Sequence, residues 1–85
     1  MYGITYSKQA QKMLLKISRN LAKRIRDKLH YLSQNPHQKN NNIKQLIATK
    51  GYRLRVGDWR IIYELNEKKL EILIIRIAAR GEVYE

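Results

Sequence analysis

Apolar positions recur along this chain with two different periods. Ala10, Met13, Leu14 and Ile17 stand at i, i+3, i+4 and i+7, the spacing of one helical face, and Lys8, Gln11, Lys12 and Lys16 fill the other. Ser7 precedes the run as an N-cap. Leu21, Ile25, Leu29 and Leu32 mark a second helix, with Lys23, Arg24, Arg26, Asp27 and Lys28 mostly outside. The pattern breaks over residues 18–20, and Asn35-Pro36 closes the second helix, because the residue before a proline disfavours the helical region. So short a break predicts an antiparallel helix hairpin. Ahead of it, residues 2–6 alternate weakly and carry β-branched Ile4 and Thr5, which predicts a short strand.

Beyond the polar loop of residues 35–42, Ile43, Leu46 and Ile47 form a small apolar patch, read as a helical turn or an irregular docking segment. The period then changes to two. In Tyr52-Arg53-Leu54-Arg55-Val56-Gly57-Asp58-Trp59-Arg60-Ile61-Ile62-Tyr63, Gly57-Asp58 closes a two-residue turn, with glycine supplying a positive φ at the first turn position. That turn pairs Val56 with Trp59 and Arg55 with Arg60. Alternation puts Tyr52, Leu54, Val56, Trp59, Ile61 and Tyr63 on one face. Arg53, Arg55 and Arg60 lie on the other, followed by Ile62 and Glu64. The aromatic residues of the first face are read as core rather than as base-stacking platforms. Residues 66–69 make the next turn. Residues 70–77 are the most apolar run, and their β-branched content predicts a central strand buried on both faces.

The order β-α-α-β-β-β predicts a single α+β domain over residues 1–85, an antiparallel sheet with a two-helix hairpin packed on one face and the other face partly open. If Leu65 pairs with Leu70, residue 76 lies beside residue 59. Arg76, Arg80 and Tyr84 then arrive at the end of the sheet that holds Arg55 and Arg60, and one basic concavity results. Arg55 and Arg60 face each other at a cost of about 0.2–1 kcal/mol. A chain that keeps this repulsion needs the charge for an anionic partner.

The overall charge agrees. Eighteen Lys and Arg stand against seven Asp and Glu, a net charge of +11, the footprint of a protein that meets polyanions. Nucleic acid leads as partner, with an acidic protein as a further one. A membrane surface fits less well, because the basic residues are not confined to one amphipathic helix. Cysteine is absent, which excludes disulfides and thiolate metal sites and is compatible with a reducing cytoplasm. No signal peptide or membrane span is expected. His30 and His37 are isolated and read as surface or loop residues, the acids are scattered, and no metal or other cofactor is expected. There is no Ser-His-Asp set and no glycine-rich phosphate loop.

What remains is a set of guanidiniums and a tyrosine. Guanidiniums hold phosphate in bidentate geometry and stay charged. They stabilise the added negative charge of a pentacoordinate phosphate. RNA cleavage without a metal needs that stabilisation, a base for the ribose 2′-OH and an acid for the 5′-oxygen. Tyrosine titrates near ~10, and neighbouring arginines favour its phenolate.

The arginine hairpin, the charged turn after it, residues 70–77 and the closing Arg80-Gly81-Glu82-Val83-Tyr84 together resemble the RelE branch of the RelE/ParE toxin superfamily. The resemblance covers essentially the whole chain. It implies a cytoplasmic type II toxin that enters the ribosomal A site and cuts mRNA without a metal, halting translation, and that is neutralised by a cognate antitoxin. It implies RNA-binding roles for Arg53 and Arg55 on the second strand, with Arg76 and Lys50 added as RNA-binding candidates. Arg60 and Arg80 match transition-state stabilisers, Arg80 also in the place of a proton donor. Tyr84 matches the tyrosine that stacks on the base and takes part in proton transfer. The chain departs from the pattern in having arginine where relatives often carry lysine on the second strand, and Ala78-Ala79 where a basic pair often precedes the late arginine. The general base is left open between Tyr84 and Glu82. Two other readings stand beside the nuclease: a ParE-like inhibitor of DNA gyrase, and a non-catalytic RNA- or ribosome-binding module.

Overall fold

A computed structural model describes residues 1–38, 40–47 and 49–79. Strand β1 spans Gly3–Tyr6, helix α1 Lys8–Lys16, α2 Arg19–Gln34, and strands β2 Ile43–Gln45, β3 Tyr52–Val56, β4 Trp59–Asn66 and β5 Glu71–Ala79. The five strands form one sheet in the order β1-β5-β4-β3-β2. β5, β4, β3 and β2 pair antiparallel in succession. β1 joins the far side of β5 in parallel, with Gly3 opposite Glu71 and Tyr6 opposite Ile74.

Both helices start on a serine cap. Ser7 Oγ accepts from the Ala10 N–H at 3.1 Å and Ser18 Oγ from Leu21 at 3.2 Å. The extended backbone of Ile17 and Ser18 makes the two-residue break between them. Ser7 does more than cap, since its hydroxyl donates to the Ile75 carbonyl at 2.6 Å. Ser18→Ala should therefore cost about 1 kcal/mol. Ser7→Ala should cost about 1 kcal/mol more, because it also strips a backbone carbonyl of its partner; urea denaturation of the two variants measures the difference.

The helices cover one face of the sheet. Ala10 and Leu14 of α1 and Ala22, Ile25, Leu29 and Leu32 of α2 form one buried cluster with Leu54, Val56, Ile61, Tyr63, Ile72, Ile74 and Ile77. The hairpin closes as its sequence predicts: Val56 opposes Trp59, Arg55 opposes Arg60, and Gly57 takes φ +60. Tyr52 stacks on Tyr63, with ring centroids 5.4 Å apart and an 18° interplanar angle. Both face the core, and Tyr63 is only 1% exposed.

The α+β class holds, but four expectations about the sheet need correction. The segment at Ile43 is a fifth strand, not a helical turn. Three residues pair with β3, and Arg55 N–H donates to the Asn42 carbonyl at 2.8 Å. The sheet is mixed, because β1 is parallel to β5. β5 is not buried on both faces: Leu73 is 37% exposed, and Arg76 lies on the open face. Finally, Leu65 pairs with Ile72 rather than Leu70, and Arg76 lies opposite Ile62, not Trp59. The four-residue turn falls at residues 67–70, one residue later than expected; in it Leu70 adopts φ 51 and Lys69 N–H donates to Asn66 Oδ1 at 3.1 Å. β5 is further offset by a bulge between the Ile62 and Tyr63 pairings.

Candidate nucleic-acid interface

The face away from the helices carries the charge. Residues paired across neighbouring strands point to the same side, so the register orders this face in rows. One row runs Lys44, Arg53, Ile62, Arg76 from β2 to β5. The next runs Arg55, Arg60, Ala78 from β3 to β5. Five cations from four strands thus share one face. The acidic side chains of that face, Glu64 and Glu71, lie further from the hairpin tip, paired with Leu73 and Asn66.

Arg55 turns its N–H toward β2. The Arg55–Arg60 pair is therefore of the non-hydrogen-bonded kind, in which Cα atoms stand about 4.5 Å apart and side chains come closest. Arg60 answers the repulsion by leaning toward the tip: its Nη1 lies 3.3 Å from the Trp59 carbonyl oxygen and 3.5 Å from that of Gly57. From the opposite side of the sheet, Arg24 on α2 brings its Nη2 to within 3.7 Å of where a Cβ on Gly57 would stand, so the tip is approached by a sixth cation. The centre of the face is apolar, with Ile62 and, in the next row, Ala78 both buried, and Arg53 Nε is buried beside Ile62.

Of the expected site residues, Arg53, Arg55 and Arg60 come together as the alternation predicts. Arg76 joins them opposite Ile62, three residues farther from the tip along β4 than expected. Lys50 does not join them. It is exposed in the connection before β3, at the end of that strand away from Gly57. Arg80 and Tyr84, and with them Glu82, lie outside the described residues. Two contributors escaped the sequence reading. Lys44 was hidden because three residues of strand are too few to show a period. Arg24 looked like one more charge on a solvated helix face.

Other features stand apart from this face. A cleft of about 570 Å³ lies on the helix-covered side of the sheet, lined among others by His37, Asn40, Ile43, Gln45 and Tyr52. Nearby, the Tyr2 hydroxyl donates to Glu67, and His37 Nε2 lies 3.1 Å from the same carboxylate. These contacts hold the Glu67 carboxyl below its usual range, the Tyr2 hydrogen bond contributing most. Burial pushes the Tyr63 phenol far above its usual range. His30 is exposed, as its position on α2 predicts. Among the described residues no three His, Asp or Glu side chains gather to hold a metal ion, and no helix is long and apolar enough to cross a membrane.

Residues 4–84 match the family model described as the ParE toxin of type II toxin-antitoxin systems. The chain belongs to this family. A comparison with curated proteins finds no match. Among solved structures, the fold is shared with an archaeal RelE–RelB complex from Pyrococcus horikoshii at TM-score 0.82 and 28% identity, covering 96% of this chain and 98% of that one. A RelB–RelE complex from Methanococcus jannaschii matches at TM-score 0.72 and 27% identity, covering 95% of each chain. The intact Escherichia coli RelBE complex shares the fold at TM-score 0.80 and 17% identity, covering 98% of this chain and all of that one. The protein is a type II toxin of the RelE/ParE superfamily, in its RelE branch.

Proposed function

We propose that this toxin is a cytoplasmic, ribosome-dependent endoribonuclease that cuts mRNA in the A site. The observation that carries the reading is the Arg55–Arg60 pair set among Lys44, Arg53 and Arg76 on the one face the helices leave open. Such a face holds several consecutive phosphates and places a guanidinium where charge develops on one of them. The ribose 2′-OH gives its proton to a base and attacks the adjacent phosphorus. The bond from phosphorus to the 5′-oxygen breaks, that oxygen takes a proton from an acid, and the products are a 2′,3′-cyclic phosphate and a 5′-OH.

Arg60 and Arg80 stabilise the pentacoordinate phosphate in this scheme. Arg53, Arg55 and Arg76 hold the RNA backbone, Lys50 contacts RNA farther along, and Tyr84 stacks on a base. Arginine keeps its proton, so none of the second-strand residues serves as base. Ala78, beside Arg60 in the sheet, offers no titratable group either. Proton transfer falls to Tyr84 or Glu82. Free RNA should be cut poorly, because the ribosome supplies the alignment that an arginine cluster lacks. An antitoxin partner is expected, as in the RelE–RelB complexes whose fold the chain shares, with an acidic segment covering the cationic face.

Mapping RNA ends after incubation with programmed ribosomes tests the reading; new 5′-OH ends within A-site codons are expected. The family match to a ParE toxin favours one rival, inhibition of DNA gyrase, and the Ala78-Ala79 departure favours another, a non-catalytic RNA-binding module that binds without new RNA ends. Growth arrest without new RNA ends, together with block of gyrase supercoiling in vitro, would establish the gyrase reading. RNA binding should fall steeply with salt, by about 0.7 per phosphate contact in log–log slope for a single strand. Arg53→Ala and Arg55→Ala should each reduce that slope by roughly one contact, as read by fluorescence anisotropy between low and moderate salt.

A further inference from the structure

Arg76 reaches the cationic face only because β5 changes phase. Ile72 and Ile74 face the core, and strict alternation from Ile74 would send Arg76 inward and Ile77 outward. Instead Tyr63 pairs with Ile74 and Ile62 with Arg76, so Ile75 is an extra residue of the kind that makes a bulge. Ile77 returns to the core, fully buried, and Arg76 takes the open side.

The phase change also turns backbone groups outward, at the point where β5 loses its neighbour. β1 ends at Tyr6, and its last ladder contact is Ser7 N–H to the Ile74 carbonyl at 2.8 Å. Beyond it, side chains at the start of α1 replace a strand. Ser7 Oγ donates to the Ile75 carbonyl at 2.6 Å. The Gln9 side-chain amide then meets Ile77 twice: Nε2 donates to its carbonyl and Oε1 accepts from its N–H, each at 2.9 Å. One planar amide with a donor and an acceptor on a single residue is what a neighbouring strand offers, so Gln9 adds a rung to the sheet. α1 is anchored by buried Ala10 and Leu14, which makes this rung rigid. Slippage of β5 back to strict alternation would break both Gln9 bonds.

We propose that Gln9, supported by Ser7, is a positioning residue that locks β5 in its bulged phase and thereby holds Arg76 on the nucleic-acid face. The proposal rests on the reading of that face as RNA-binding. Gln9 itself touches no RNA in this arrangement.

The test is a double-mutant cycle of Gln9→Leu and Arg76→Ala, read as anisotropy of a fluorescent single-stranded RNA oligonucleotide across a salt series, with each variant shown to be folded by its cooperative thermal transition. Arg76→Ala should weaken binding and lower the salt slope by roughly one contact. Gln9→Leu should do the same although it removes no charge, and should add less than about twofold in the Arg76→Ala background. Gln9→Glu supplies a second arm. As a carboxylate it cannot donate to the Ile77 carbonyl and should match Gln9→Leu at neutral pH. Protonated, it again offers one donor and one acceptor, and its affinity relative to wild type at the same pH should recover on acidification. Equal losses from Gln9→Leu with and without Arg76, an unchanged salt slope, or no recovery in acid would each overturn the proposal. If wild type binds RNA without salt dependence, the reading of the face fails instead. Hydrogen exchange of the Ile77 amide then judges the clamp by itself: it should be protected in wild type and lose protection in Gln9→Leu, and equal protection in both would overturn it.

Discussion

Arg60→Ala should lower the single-turnover rate of mRNA cleavage on programmed ribosomes by about 10²–10³-fold, the usual loss on removing one preorganised donor to a developing oxyanion. Arg60 is the member of the cationic pair already turned toward the hairpin tip. It stands beside Ala78 on β5 and across from Arg55 on β3 in the sheet. Half-exposed and on the open side, it takes no part in the helix-covered core, and its loss should leave stability within about 0.5 kcal/mol of wild type. Removing one of two opposed guanidiniums should even relieve some repulsion. Arg60→Lys should recover only part of the rate, because a lysine offers a point charge where arginine offers a planar fork. A rate within threefold of wild type for Arg60→Ala, at saturating toxin, would remove Arg60 from the reaction. Arg80→Ala should behave similarly in a growth-arrest assay, losing toxicity with the fold intact.

The largest effect on folding should come from Ile61→Ala. Ile61 lies between Leu54 on β3 and Ile77 on β5 in one cross-sheet row, and all three are buried beneath the helices. Emptying the middle of that row removes three carbons from between the buried Leu54 and Ile77. The expected loss is about 2–5 kcal/mol. A chain of this size has a total stability of only about 4–13 kcal/mol, at roughly 0.05–0.15 kcal/mol per residue, so the variant should sit near its unfolding threshold. Ile47, 94% exposed, is the matched control, and Ile47→Ala should change stability by less than about 0.5 kcal/mol. A midpoint shift in urea of similar size for both variants would contradict the assignment of the core.

How much of this was legible in the sequence depends on how local each feature is. The hairpin was fully legible, because a Gly-Asp turn of two residues fixes the register of everything beside it. The helices were legible from the spacing of Ala10, Leu14, Ile25 and Leu29, and the Ser7 cap from its place ahead of the first run, whereas Ser18 read only as part of a break. β2 was not, since three residues carry no measurable period and their pairing depends on the Asn42–Arg55 and Leu46–Gly51 backbone bonds. The parallel pairing of β1 with β5 joins residues 68 positions apart, and nothing local announces it. The position of Arg76 was misjudged because the register placed the turn one residue too early and assumed an unbroken alternation.

The amino-acid pattern alone determined that Arg53, Arg55 and Arg60 share a face, that this face is opposite Leu54, Val56 and Ile61, and that the chain is strongly cationic. Those facts follow from side-chain alternation, one short turn and net charge, and need no long-range contact. The tertiary structure decided which further cations join them. Lys44 enters through an edge strand, Arg24 by reaching across from a helix to the hairpin tip, and Arg76 by a bulge held from outside through Ser7 and Gln9. Each of these depends on groups far apart in the chain meeting in space, where a single residue of slip reverses the direction of a side chain.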